Sequence, residues 1–509
     1  MTVSKKIVSI EELKKKIKKF KFDNYKIVQC HGVFDLLHIG HIKHFNFARN
    51  VDQRIKLIVT ITTDRFVKKG PGRPYFNENY RAQALASLSM IDLVCISDHE
   101  SAVALINIIK PDYFVKGSDY KNFKKDITKK INIESLAVKK NKGIIKFTNE
   151  ITFSSSALLN NFSDLYSHEQ RDYLVKLLKK YTPKVIFDYI EDLRKIKVLI
   201  LGEAIIDEYV FCDLLGKAGK ESHLVLNEKY IEKYLGGAIS VAKILASFSK
   251  TVDVVTCLGE DKKYKNFILK NIPRNINLHI FLKDQSPTIV KTRYIDIINK
   301  HKVIGVYKIN EQFIKKNLEK KILYKIEQLS KKNNLIIVSD YGHGLMTNKI
   351  VNKIDNLKID SFINCQLNAS NVGYHSLKKY KKGTFLIVNE SELRHEMRDK
   401  NTSLNKVAKD FLIERNIKRL VVTQGASGVS FYEKSKIIHC PAFAKYVVDK
   451  IGAGDTMLAM LSLAFNSKIP TDLALFIGSI AAAFSVENVG NKNLFTKDIL
   501  IKNLQHILK

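Results

Sequence analysis

The residues of this chain that could do chemistry fall into two groups. The first lies at residues 27–44, IVQCHGVFDLLHIGHIKH, where His38 and His41 stand three apart with Gly40 between them. An imidazole can donate hydrogen bonds to phosphate oxygens as negative charge builds on them, where a carboxylate would repel them, and a glycine lets a ligand approach the backbone. The pair therefore suits a polyphosphate resting on a helix N-terminus. Two further segments in the same half favour anions. Residues 65–81 carry Arg65, Lys68, Lys69, Arg73 and Arg81, and Ser154, Ser155 and Ser156 offer three hydroxyls at the start of an expected helix.

The second group lies at residues 451–458, IGAGDTML. Gly452, Ala453 and Gly454 leave backbone N–H groups bare at a helix start and so form an anion hole for a γ-phosphoryl group. Asp455, immediately after, can accept the proton of an attacking hydroxyl, the role of the base in a phosphoryl transfer.

Both groups need strands ending at one edge of a sheet, because open parallel sheets bind ligands beyond the carboxyl ends of their strands. In the first half Ile10, Leu13, Ile17 and Phe20 recur at helical spacing. Strands are expected at 27–30, 57–62, 93–96 and 113–115, with helices over 80–90 and 102–109. That alternation predicts a parallel sheet with crossover helices, with Lys116, Gly117, Ser118 and Asp119 at its ligand edge. Residues 163–195 hold no strand pattern and read as a helical connector broken by Pro183. A new domain begins with a strand at 197–201, and strands at 335–340, 386–392 and 420–428 predict a second parallel sheet. Residues 209–230 and 288–309 have the pattern of a small separate sheet, either a lid or a dimer surface. The expected division is a domain over 1–162, a linker over 163–195 and a domain over 196–509.

Composition narrows the class. A chain of 509 residues exceeds one ordinary core, and 45% hydrophobic residues exclude a mostly disordered protein. Its six cysteines are scattered without a C-x-x-C pair, so neither a zinc cluster nor a disulfide framework is indicated, and a reducing cytoplasm fits. The N-terminal segment has no apolar signal core, and the longest apolar stretch, 473–486, reads as a buried helix. A formal charge of +34 invites nucleic acid. Yet lysine outnumbers arginine, the cations are spread over both halves, and no aromatic-interleaved basic cluster stands out. The expectation is a solvated lysine surface without specific nucleic-acid binding.

The first half, in order, contains H-x-G-H, T-D-x-x-V-K, G-x-x-R-P, V-K-G-x-D-Y and S-S-S-x-L-L. Over roughly residues 24–162 it resembles the nucleotidyltransferase superfamily that includes the cytidylyltransferases and the heptose-type adenylyltransferases. The resemblance implies a Rossmann-like domain in which His38 and His41 bind the triphosphate and Lys68 or Lys69 neutralises the transferring phosphate. It further implies that Gly32, Val33, Phe34, Gly40 and Asp119 bind the nucleotide, that Ser154, Ser155 and Ser156 hold phosphate oxygens, and that Arg73 and Arg81 meet the substrate. The nucleotide is ATP or CTP.

The second half resembles the ribokinase-type, or PfkB-type, sugar kinases at five places in order. These are Asp207, the pair Gly236 and Gly237, N-x-x-E at Asn389 and Glu392, T-x-G-x-x-G at Thr423, Gly425 and Gly428, and the anion hole with Asp455. The resemblance implies a ribokinase-like α/β domain with a small β lid, using ATP and Mg²⁺. Asp455 would be the base. Asn389, Glu392, Thr423, Gly425, Gly428, Gly452, Ala453 and Gly454 would surround the nucleotide, with Glu392 toward Mg²⁺ directly or indirectly, and Asp207, Gly236 and Gly237 would bind the sugar. Ser240 stands where many members carry Asn, and Lys450 where a small hydroxyl residue is usual. In the heptose enzyme the kinase half comes first; here it comes second.

The expectation is therefore a bifunctional enzyme of nucleotide-activated sugar synthesis, homodimeric through its kinase domain. One half would phosphorylate a sugar or sugar phosphate; the other would join a nucleoside triphosphate to a sugar 1-phosphate and release pyrophosphate. A chain with one active domain and one scaffold, and a non-enzymatic basic binding protein, are the competing readings.

Overall fold

Runs of β-branched residues buried on both faces build the central sheet of each half, as a parallel sheet covered by helices requires. The computed structural model describes residues 3–67, 73–118, 130–148, 166–260, 263–381, 385–434, 436–488 and 493–508. By internal contacts the chain forms two units, Met1–Ser167 with Ile501–Lys509, and His168–Leu500.

In the first unit β1 (Lys26–Gly32), β2 (Ile55–Thr62), β3 (Leu93–Ser97), β4 (Tyr113–Lys116) and β5 (Ile144–Phe147) pair in the order β3-β2-β1-β4-β5, all parallel. Helix Ile10–Phe22, started by a Ser9 and Glu12 capping box, sets Leu13 and Ile17 against Ile27, Ile58 and Leu93 on one face. On the other face Phe45 of helix Ile39–Arg49 joins Val28, Leu57 and Val59. The chain leaves β1 toward β2 and later returns to β4 on its other side, so the reversal of strand order falls beside the carboxyl end of β1. That is where H-x-G-H follows and where ligands of such sheets bind.

The second unit holds β6 (Lys197–Gly202), β7 (Ala204–Lys217), β8 (Leu224–Gly237), β9 (Thr251–Gly259), β10 (Ile276–Lys283), β11 (Ile289–Asp296), β12 (Lys302–Lys308), β13 (Leu335–Asp340), β14 (Asp360–Cys365), β15 (Phe385–Asn389), β16 (Leu420–Thr423), β17 (Val429–Glu433) and β18 (Lys436–Cys440). Nine of them form one sheet in the order β10-β9-β6-β13-β14-β15-β16-β17-β18. The expected parallel sheet holds from β10 to β16, but β17 and β18 are antiparallel. The short turn from Thr423 to Val429 leaves no room for the crossover that a parallel partner needs. Two expected strands also end early. β15 stops at Asn389, where helix Glu390–Met397 begins, and β16 stops at Thr423. One face of the sheet packs Leu199, Val338, Ile363, Leu386 and Leu420 against Ile322, Ile350 and Phe411. Helices Ala238–Ala246, Ala453–Asn466 and Thr471–Val486 are also largely buried.

The separate small sheet is present, in the order β12-β11-β7-β8. Its base, Ala204, Ile206, Leu235 and Val290, enters the core, while Leu214, Leu215, Leu224 and Ile304 are exposed. Among the described residues no helix is long and apolar enough to cross a membrane, and all six cysteines are free and buried.

Residues read as a connector form helices His168–Lys180 and Pro183–Asp192, counted with the second unit. Asp472 accepts hydrogen bonds from Lys180 Nζ at 2.7 Å and Tyr181 Oη at 2.9 Å, and Tyr173 Oη donates to the Asp472 carbonyl at 2.7 Å. Leu174, Leu177, Ile186 and Ile190 are buried. Four such side chains contribute on the order of 6–12 kcal/mol, comparable with the whole stability of a domain. A fragment of residues 168–509 is therefore expected to melt cooperatively, whereas one of residues 196–509 should be recovered unfolded or aggregated. Calorimetry and circular dichroism of the two fragments make the comparison, and equal melting temperatures would show these helices to be dispensable.

Candidate functional site

In the second unit a cavity of about 240 Å³ is lined by side chains from the small sheet, from the carboxyl ends of the large one and from the start of helix Ala453–Asn466. Its walls include Asp207, Gly237, Asn389, Glu392, Thr423, Lys450, Gly452, Gly454 and Asp455, drawn from all five segments singled out in this half. Gly236, Gly425, Gly428 and Ala453 are not among the wall residues.

Gly452 has φ +86°, a left-handed conformation that costs glycine little, and it turns the chain into the 14-residue helix. A Cβ placed on Gly454 would meet nothing within 4 Å, so the first turn has open space beside it. Unsatisfied N–H groups with room before them are what an anionic phosphoryl group requires. Asp455 sits in that same turn. Its Oδ1 accepts a hydrogen bond from Tyr341 Oη at 2.7 Å. Burial pushes its pKa up to about 6, against the lowering effect of the tyrosine and of Lys291.

Opposite lies Asp207 of β7, whose Oδ1 accepts from Arg293 Nη1 at 2.6 Å. Gly236 makes room for this carboxylate, since a Cβ there would stand 2.2 Å from Asp207 Oδ2. Lys291, also from β11, lies with its Nζ 5.6 Å from the Tyr341 ring and 5.7 Å from the Tyr307 ring, and burial lowers its pKa. Arg293, Lys291, Tyr341, Asn364 and Gln366 are wall residues that the motifs did not reveal. The spacing of Lys291 and Arg293 was a usable signal, because residues two apart on a strand share a face.

N-x-x-E proves to be a capping box. Asn389 accepts from the Glu392 N–H at 2.8 Å, and Glu392 Oε2 accepts from the Asn389 N–H at 2.9 Å. The other oxygen of Glu392 accepts from the Leu367 N–H at 3.2 Å, and burial holds the carboxyl up at about 6. Behind the cavity, Glu203 accepts the N–H groups of Tyr341 at 3.1 Å and His343 at 3.2 Å. Lys302 of β12 reaches Asp449 Oδ1 at 2.6 Å, and the same oxygen accepts the Ile451 N–H at 3.1 Å. The small sheet is thereby tied to the loop that enters helix Ala453–Asn466.

In the first unit His38 is the N-cap of helix Ile39–Arg49, its Nδ1 accepting the Gly40 N–H at 3.1 Å. An Nδ1 that accepts leaves the neutral ring's proton on Nε2, which can donate to an anion. The His38 and His41 ring centroids are 4.0 Å apart, and His41 meets Phe34 edge-on at 5.4 Å. Phe34 has φ +49°, uncommon for a bulky residue, in the loop that follows Gly32 and Val33. Arg81, expected at the substrate, is fully buried: its guanidinium donates to the carbonyls of Val33 at 2.5 Å, Thr62 at 2.8 Å and Phe76 at 3.0 Å, and to Asp64 Oδ1 at 2.6 Å. Arg73 is buried beside Asp35, 3.4 Å away. Lys68, Lys69, Asp119, Ser154, Ser155 and Ser156 lie outside the described residues.

Comparison with known proteins agrees with both halves. The pattern of the pfkB family carbohydrate kinases matches residues 195–497, and the cytidylyltransferase-like pattern matches residues 30–161. The chain is 28% identical over 324 residues to the bifunctional protein HldE of Helicobacter pylori strain HPAG1, covering 61% of this chain and 67% of that protein. It is 26% identical over 310 residues to the bifunctional protein HldE of Aliarcobacter butzleri, covering 58% of this chain and 62% of that one. The matches thus span about two thirds of these relatives. Among solved structures, a protein of Agrobacterium tumefaciens assigned as a ribokinase superposes with a TM-score of 0.50 at 14% identity, covering 61% of this chain and 98% of its own, which speaks to the fold alone.

The contact between Gly236 and Asp207 yields a direct test. Gly236→Ala should push the Asp207 carboxylate off Arg293, raising KM for the sugar at least about tenfold, the effect of losing a charge-assisted hydrogen bond. KM for ATP should hold within about twofold. Steady-state kinetics with each substrate varied decides it, and an unchanged sugar KM would remove Asp207 from the sugar site.

Proposed function

The chain belongs to the pfkB family of carbohydrate kinases, and from that premise we propose that its two domains carry out two steps in making a nucleotide-activated sugar. The kinase domain transfers the γ-phosphoryl group of ATP to a hydroxyl of a sugar phosphate of the heptose 7-phosphate type. The hydroxyl oxygen attacks phosphorus, its proton passes to Asp455, and ADP leaves. The observation that carries this reading is the half-buried carboxylate of Asp455 in the first turn of a helix whose N-terminus opens into the cavity. Lys291 and Arg293 beside Asp207 favour a substrate that already carries a phosphate over a neutral sugar.

Mg²⁺ fits the same wall. Both oxygens of Glu392 already accept backbone N–H groups but keep lone pairs for the water shell of a hydrated ion, and a nearby cation would favour the charged form that burial opposes. When bound, the ion neutralises charge on the ATP phosphates. Asn389 and Glu392 would hold it.

The N-terminal domain joins ATP or CTP to a sugar 1-phosphate: the sugar-phosphate oxygen attacks the α-phosphorus and pyrophosphate leaves, with no nucleophile from the enzyme. His38 and His41 donate to the phosphate oxygens whose charge grows as pyrophosphate departs. The exposed apolar end of the small sheet supports a homodimer through the kinase domain, which the mass of the protein in solution would check.

Two substitutions separate the activities. Asp455→Asn should lower kinase turnover about a hundredfold or more and leave nucleotidyl transfer at the parent level. His41→Ala should lower the kcat of transfer by about a hundred- to a thousandfold with little change in KM for the triphosphate, leaving the kinase untouched. Because Asp455 must be ionised to take the proton, parent kinase kcat/KM should fall as pH drops through about 6. Near-parent kinase activity in Asp455→Asn would contradict the assignment.

A further inference from the structure

Tyr341 is the residue just beyond β13, and its phenol meets Asp455 from across the cavity. Its own position is fixed at three points. The N–H donates to the buried Glu203 at 3.1 Å, and its carbonyl accepts from Asn368 Nδ2 at 2.9 Å and Asn371 Nδ2 at 3.0 Å. The next residue, Gly342, has φ +75°, and a Cβ there would stand 2.4 Å from Asn371 Nδ2, so this turn is set by close packing. The side chain is almost fully buried and ends 2.7 Å from Asp455 Oδ1.

We propose that Tyr341 is a positioning residue, whose phenol holds one oxygen of the Asp455 carboxylate so that the other faces the hydroxyl to be phosphorylated. This rests on the reading of Asp455 as the base. A carboxylate on a short side chain can rotate about two bonds, and a rigid donor on one oxygen removes that freedom before the substrate arrives. Burial keeps the phenol protonated far above its ordinary range, so it donates at every working pH. It also opposes the rise that burial imposes on Asp455. The other ionisable groups around the carboxylate are Asp207 on β7, Lys291 and Arg293 on β11, Lys450 in the preceding loop, and Glu392 on the cavity wall. Among these groups Tyr341 donates to Asp455 through a neutral hydroxyl, so its removal changes no net charge.

The test uses the full-length chain with ATP, Mg²⁺ and heptose 7-phosphate as probe. Tyr341→Phe keeps the ring and deletes only the hydroxyl. It should lower kinase kcat about ten- to a hundredfold, the effect of losing a hydrogen bond to a charged group, with KM for ATP within about twofold. Loss of the stabilising donor should raise the pKa of Asp455, so the acid limb of kcat/KM should move to higher pH. In an Asp455→Asn background Tyr341→Phe should have little further effect, since its target is gone. A lowered rate with an unmoved acid limb, or losses that simply multiply in the double variant, would reduce Tyr341 to a packing residue. If Tyr341→Phe does not fold, 3-fluorotyrosine at 341, a stronger donor of nearly the same shape, should move the limb to lower pH; an unmoved limb there overturns the proposal as well. Parent-level kinase activity in Asp455→Asn alone would instead overturn the base assignment, a result distinct from any of these.

Discussion

A carboxylate partly withdrawn from water at the start of a helix is the constraint around which the second domain is arranged. Asp455 lies at the start of helix Ala453–Asn466, where the helix dipole favours a negative group, and burial opposes that charge. The surrounding elements supply what solvent would have given: the hydroxyl of Tyr341, and the ammonium of Lys291 brought by β11. Tyr341 is in turn held by Glu203, a fully buried carboxyl whose pKa is pushed up by burial and by neighbouring Asp340. Asp340 receives Lys379 at 2.5 Å and Tyr380 at 2.6 Å. A chain of buried polar groups thus links Asp455 to the interior. Such a network holds one geometry well when every member is satisfied.

The first domain uses the same physical device with different side chains. A helix N-terminus again faces the ligand edge of a parallel sheet, but here its cap is an imidazole, which leaves a donor where the kinase helix offers bare amides. The buried arginines brace the loops around it. Arg81 fastens 33 and 62–64 to Phe76, and Arg73 adds Asp35, so the cations of this segment act partly inside the fold.

Much of this was legible because glycine and short polar motifs mark strand ends and helix starts. H-x-G-H and G-A-G-D each fell at a helix N-terminus, and the alternation of strands and helices gave both sheets. What was not legible depended on pairing between distant strands. Lys291 and Arg293 face Asp207 because β11 runs parallel to β7, with Lys291 opposite Asp207 in register, and no local pattern announces that partnership. Tyr341 passed as the residue after a strand, though its contact partner lies 114 positions away. Arg81 was expected at the substrate because it lies in a segment rich in cations; four acceptors from three segments explain why it is buried instead. N-x-x-E served two purposes, capping a helix and lining the cavity, and the family resemblance pointed only to the second.

The half-buried carboxylate of Asp455 and the open helix start beside it are proposed to move a phosphoryl group onto a sugar together. The most direct measurement is ³¹P NMR of the full-length chain with ATP, Mg²⁺ and heptose 7-phosphate. The γ-phosphate signal of ATP should be lost as ADP forms, and a second phosphate-ester resonance should appear on the sugar in equal amount. Release of inorganic phosphate alone, or unchanged ATP beside unchanged sugar, would contradict it.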